Sequence, residues 1–134
     1  MVCDRQLRRQ RVFIAYGGNS LIRRLRDAFG GECDFEVCGE ATHGAEAVGE
    51  AIELHPDLVI LELGSSPQEE FEAVKALKRA KPHLPIFLVT ERHAMQDEKE
   101  ALSSGIAAVF EKDCDCKLII MNARVACGLT SSNL

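Results

Sequence analysis

Apolar and polar positions along the 134 residues follow two alternating periods. Five short apolar runs, at 11–15, 35–39, 58–63, 84–90 and 106–110, have the length and β-branched or aromatic content of strands. Between them, apolar residues recur three and four apart, as on one face of a helix. Leu21, Ile22, Leu25, Ala28 and Phe29 form the first such face, with Arg23, Arg24 and Arg26 expected outside. Ala47, Val48, Ala51, Ile52 and Leu54 form the second, within 45–54. Phe71, Val74 and Leu77 form the third, in a helix starting near Pro67 and ending over 78–82. Residues 94–104 read as a thinly apolar helix anchored by Met95, Ala101 and Leu102. A last helix, 115–127, is apolar nearly all round.

The punctuation agrees. Asn19 or Ser20 offers an N-cap and Gly30-Gly31 a stop. His55-Pro56 ends the second helix because the residue before proline resists the helical region. Five strands in strict alternation with helices imply an α/β fold: a five-stranded parallel doubly wound sheet of flavodoxin-like topology, in strand order 2-1-3-4-5. Such sheets place ligands beyond the carboxyl ends of their strands. Here those ends carry Tyr16-Gly17-Gly18, Glu62, Thr90 and Lys112. Strand 58–63 is the centre of this arrangement: its apolar run meets one carboxylate, Glu62, and then breaks into Gly64-Ser65-Ser66-Pro67.

Composition narrows the setting. The chain is 46% hydrophobic and 28% charged, an ordinary balance for one globular domain. No apolar run approaches the roughly 20 residues of a membrane span, and no signal-peptide pattern opens the chain, so a cytoplasmic location is expected. The six cysteines form no CxxC pair and no zinc spacing, so reduced thiols packed as small hydrophobes are expected. Cys114-Asp115-Cys116 reads as incidental. The net charge of −5 hides a basic start, where seven Arg within residues 1–26 face one acid, Asp4. No recognition-helix pattern accompanies it, and a solvated basic extension over 1–10 is expected. A domain over 11–128 follows, and 129–134 is expected to be a tail or linker remnant.

Four phrases carry a family resemblance: 35–41 (FEVCGEA), 57–61 (DLVIL), 84–90 (LPIFLVT) and 109–113 (VFEKD). In register with this topology, they make the chain resemble the receiver domain of two-component response regulators over residues 11–127. It is most similar to receivers that precede a helix-turn-helix output domain. The resemblance implies an aspartate ending the third strand that accepts a phosphoryl group and an acidic pair ending the first strand that holds Mg²⁺ with it. It also implies a Thr or Ser and a Lys that bind the phosphoryl oxygens. Thr90 and Lys112 match. Glu62 stands at the acceptor position, Tyr16 and Gly17 replace the acidic pair, Val109 stands at the aromatic switch position, and Asp113 follows Lys112 where proline is usual.

These departures point away from phosphotransfer. Mg²⁺ is usually held by one or two carboxylates plus water and phosphate, and losing the strand-one pair leaves only weak binding. Glu also sets its carboxylate about 1.5 Å further out than Asp. The expectation is a non-enzymatic pseudo-receiver without cofactor or metal, acting in phosphorelay signalling by protein–protein contact. Within it, two readings of Glu62 stand side by side: a fixed negative charge mimicking the phosphoryl group against Lys112 and Thr90, or an ordinary ion pair. A receiver phosphorylated at a non-standard residue or with weak metal help is the alternative. A small anion or nucleotide binder using the Gly17-Gly18 loop is a further one.

For partners, the resemblance implies a surface of helix 94–104, strand 106–110 and helix 115–127. Met95, Leu102, Phe110, Ile119, Ile120 and Ala123 are the expected contacts, to a protein partner, an output domain or a second copy. Nucleic acid would be reached only through an output domain, and no membrane contact is expected.

Overall fold

The structure is a computed structural model, and it describes residues 9–15, 19–41, 44–63, 67–91, 99, 103 and 105–129. Five strands, β1 (Gln10–Ala15), β2 (Phe35–Ala41), β3 (Leu58–Leu63), β4 (Ile86–Thr90) and β5 (Ala108–Glu111), form one parallel sheet in the order β2-β1-β3-β4-β5. Four described helices accompany them: α1 (Asn19–Gly30), α2 (Gly44–Leu54), α3 (Pro67–Ala80) and α4 (Cys116–Ala126). The expected fold and strand order hold.

Alternation along the strands splits the interior into two clusters. Phe13, Val59, Leu61, Ile86 and Leu88 face α2 and α3, where they meet Ala47, Ala51, Phe71, Val74 and Leu77. Val12, Ile14, Leu58, Ile60, Phe87, Val89 and Phe110 face α1 and α4, where they meet Leu21, Leu25, Phe29, Ile119, Ile120 and Ala123. The central strand β3 is buried on both sides, which is why it reads as a continuous apolar run rather than an alternating one.

Several boundaries move for local reasons. β2 runs two residues past the expected end at Gly39, because a register shift between Val12 and Phe13 skips Cys38 and lets pairing resume at Phe13–Gly39. That bulge breaks the alternation the sequence displays. Gly39 is required there: a Cβ would lie 2.7 Å from Leu54 Cδ1 and 3.0 Å from the Phe13 ring. β4 starts at Ile86 rather than 84, since the Leu84 amide turns back to the Lys81 carbonyl at 3.1 Å. β5 runs 108–111 rather than 106–110. Asn19 and Ser20 both lie inside α1, not at its cap. His55, with φ 51°, takes the left-handed turn that stops α2 before Pro56.

Both ends of α4 are closed by local hydrogen bonds. Asp115 caps its N-terminus by accepting from the Lys117 amide at 2.9 Å, so Asp115 is not part of the helix. At the other end Gly128 (φ 71°) donates to the Val125 carbonyl and Leu129 to the Arg124 carbonyl, a Schellman closure.

Two expectations are corrected. Phe110, Ile119, Ile120 and Ala123 are buried against the sheet and offer no docking surface; the exposed stripe is Leu118, Met121 and Val125, 47, 62 and 67% exposed. The sequence reads as apolar nearly all round over 115–127, and only the position of the sheet decides which stripe is covered. Cys33 is disulfide-bonded and so is not the reduced thiol expected, whereas Cys38, Cys114, Cys116 and Cys127 are free.

Candidate functional site

The carboxyl ends of β3, β4 and β5 converge because parallel pairing aligns them. Leu63 pairs with Thr90 and Thr90 with Glu111. The Lys112 amide then donates to the Thr90 carbonyl at 2.8 Å, which fixes the residue after β5 beside the end of β4. Glu62 continues the Leu58–Ile60 face of β3 towards α1 and α4. Its carboxylate is buried, 11% exposed, and Lys112 Nζ lies 3.1 Å from Glu62 Oε2. The Lys112 side chain is one third exposed. Glu62, Thr90 and Lys112 are therefore brought to one end of the sheet, and the expected Glu62–Lys112 pair is formed. Thr90 is also buried, and its parity along β4 is that of Ile86 and Leu88, on the α2/α3 side.

An arginine holds the loop that carries Lys112. Arg24 of α1, expected in solvent, is half-buried instead. Its Nη1 donates to the Lys112 carbonyl at 2.8 Å and its Nη2 to the Cys114 carbonyl at 3.0 Å. The lone arginine pattern on α1 gave no signal for this, because its acceptors are backbone atoms 88 and 90 residues away. Sequence reading also passed over Glu70, a buried carboxylate in the first turns of α3.

Val109 faces the α2/α3 cluster, while Phe110 turns to the other face and packs its ring 5.2 Å from that of Phe87. Tyr16 and Gly17, the Gly17-Gly18 loop, Met95 and Leu102 lie outside the described residues, and of the expected helix 94–104 only Lys99 and Ser103 are described, both helical. Glu62 is already met by an ammonium, Tyr16 and Gly17 bring no carboxylate, and among the described residues no three His, Cys, Asp or Glu gather as a metal-holding group.

The response regulator receiver domain profile matches residues 12–124. The chain belongs to that family. As a receiver domain of two-component signalling, it is similar to the response regulator protein VraR of Staphylococcus aureus, 29% identical over 86 residues. That match covers 64% of this chain and 41% of VraR, so the receiver spans about two fifths of the relative's length. Among solved structures, the response regulator domain of Thermotoga maritima CheB superposes with a TM-score of 0.81 at 23% identity, covering 92% of this chain and all of that one. The isolated receiver of RcsB from Salmonella enterica, solved with the phosphomimetic BeF₃⁻, superposes with a TM-score of 0.76 at 19% identity, covering 92% of each chain. These two likenesses concern the fold. No helix among the described residues is long and apolar enough to cross a membrane.

Proposed function

We propose that this receiver signals without aspartyl-phosphate chemistry, through protein–protein contact. The observation that carries the reading is the Glu62–Lys112 pair at 3.1 Å. The side chain at the acceptor position already holds the cation that a phosphoryl group would need, and phosphoryl transfer depends on positioning and charge neutralisation. No acidic pair follows β1 in the sequence to recruit Mg²⁺ in its place.

The pair has a bounded influence. A partly exposed ion pair contributes about 1 kcal/mol or less, and driving a two-state switch from 1:99 to 99:1 takes about 5.5 kcal/mol. Glu62 therefore biases an active-like arrangement and does not lock it. The contact surface in this reading is the outer face of α4, where Leu118, Met121 and Val125 form one exposed apolar stripe. A second copy or an output domain would cover it.

The deciding experiment incubates the protein with Mg²⁺ and acetyl phosphate and measures intact mass. An unchanged mass is expected. A stable phosphoryl adduct would overturn the proposal and favour the alternative, a receiver phosphorylated by a histidine kinase at another residue.

A further inference from the structure

The loop from β5 to α4 lies between the Glu62–Lys112 pair and the exposed stripe, and its backbone is held from two elements. The Lys112 amide donates to the Thr90 carbonyl of β4 at 2.8 Å, and the Cys114 amide donates to the Glu111 carbonyl at 3.0 Å. The carbonyls are met from α1. Half-buried Arg24 donates Nη1 to the Lys112 carbonyl at 2.8 Å and Nη2 to the Cys114 carbonyl at 3.0 Å. The same Nη2 lies 3.8 Å from Cys116 Sγ, on the first residue of α4. A guanidinium is a rigid planar fork, so gripping two carbonyls two residues apart fixes their spacing as well as their place. On one side of this grip, Lys112 Nζ reaches Glu62 Oε2 at 3.1 Å. On the other, Asp115 accepts from the Lys117 amide through its side chain and from the Leu118 amide, at 2.9 Å, through its carbonyl. Leu118 is the first residue of the exposed stripe.

We propose that Arg24 is the positioning residue that couples the Glu62–Lys112 pair to the exposed stripe of α4. The inference rests on the reading of that pair as the working element of the site. A lysine one third exposed on a long stem loses nearly as much freedom in forming an ion pair as the pair returns. Fixing the Lys112 backbone from α1 removes part of that loss, so the pair depends on Arg24. The dependence is reciprocal: whatever Arg24 adds to the pair, the pair adds to the hold of Arg24 on the loop. The second arm of the fork then takes the effect to the Cys114 carbonyl, one residue before the cap of α4. The state of position 62 is thereby read in the first turn of α4, at the edge of the face that meets a partner.

The test is a double-mutant cycle on the full-length chain without phosphodonor. One readout is the rate at which an acetylating N-hydroxysuccinimide ester labels the Lys112 amine, followed by peptide mass mapping. The other is hydrogen exchange of the Lys117 and Leu118 amides by NMR. Glu62→Gln and Arg24→Gln should each speed Lys112 labelling about threefold, within what a partly exposed pair allows, and the double variant should be no faster than either. Glu62→Gln should speed exchange of the two amides when Arg24 is present and leave them unchanged in Arg24→Gln. Arg24→Lys, which keeps the charge and lacks the fork, should restore less than half of each effect. Arg26→Gln removes a neighbouring guanidinium that meets Glu40 instead and should change neither readout. A merely structural Arg24 would speed labelling again on top of Glu62→Gln. That additive result, amides that respond to Glu62→Gln equally with and without Arg24, or an equal effect of Arg26→Gln would overturn the proposal. A phosphoryl adduct in the acetyl phosphate experiment would instead overturn the phosphorylation-independent reading, and these rates, measured without phosphodonor, keep the two failures apart.

Discussion

Arg124 in the last turn of α4 ties that helix to the α1–β2 loop, and removing it is the sharpest test of how the exposed stripe is held in place. Its Nε donates to Asp34 Oδ2 at 2.9 Å, and its Nη2 donates to Glu32 Oε1 and, at 3.3 Å, to Asp34 Oδ1. The guanidinium carbon lies 5.9 Å from the centroid of the Phe35 ring. The arginine is 32% exposed, so each ion pair is screened and counts about 0.5–1 kcal/mol rather than a buried-pair value. The ring contact adds about 0.5 kcal/mol. Arg124→Ala should therefore cost about 2 kcal/mol and lower Tm by about 7 °C for a chain of this length. The acid dependence gives the test its direction. The hydrogen bond from Arg124 holds the Asp34 carboxyl below the usual carboxylate range. A depressed carboxylate stabilises the fold above its unfolded pKa and loses that contribution as pH falls through its folded value. Melts followed by circular dichroism from pH 7 to pH 2 should show the gap between wild type and Arg124→Ala narrowing in acid. A constant gap across that range, or a Tm change under about 1 °C at pH 7, would refute the ion-pair reasoning. Arg124→Lys should recover less than half of the loss, since a lysine lacks the fork that reaches both acids.

Other predictions address the site and the core. Glu62→Gln should weaken binding to a protein partner by less than about tenfold, as loss of a partly exposed pair implies; an unchanged affinity in calorimetry would remove the mimic role. Met121→Asp should abolish concentration-dependent association in light scattering while leaving Tm within about 2 °C, since the side chain is exposed. A monomer in the wild type at high concentration would count against self-association through α4. Gly39→Ala should destabilise by about 1–3 kcal/mol in urea melts, because the Cβ meets Leu54 and the fully buried Phe13. Burial pushes the Cys127 thiol up to about 11, with Asp57 and Asp34 adding to it. At pH 8 it should resist a thiol reagent in the folded protein and react in denaturant; equal rates in both would show the thiol to be free of that environment.

The two clusters show where sequence reading is strong. Phe13, Leu25, Val74 and Leu88 announce their faces through periods of two and 3.6, which depend only on local backbone geometry. The same holds for the strand ends that carry Glu62, Thr90 and Lys112, since parallel pairing leaves little freedom in where strands finish. The bulge at Cys38 was illegible, because a register shift belongs to a pair of strands and not to either one. Arg24 and Arg124 were equally hidden. Their acceptors lie about 90 residues away along the chain, and nothing in an arginine's neighbours reveals a partner that the fold brings to it.

By itself, then, the order of apolar runs and breaks in this chain determined a doubly wound sheet and which residues stand at the carboxyl ends of its strands. That Tyr16 and Gly17 follow β1 and that Glu62 stands near the end of β3 are facts of residue identity, needing no coordinates. Tertiary structure alone decided which stripe of α4 is covered. Ile119, Ile120 and Ala123 meet the sheet, and Leu118, Met121 and Val125 meet solvent. A helix apolar on two sides carries no internal preference between them. The choice is made by long-range packing against α1 and β5 and by the arginine that ties its end to Asp34.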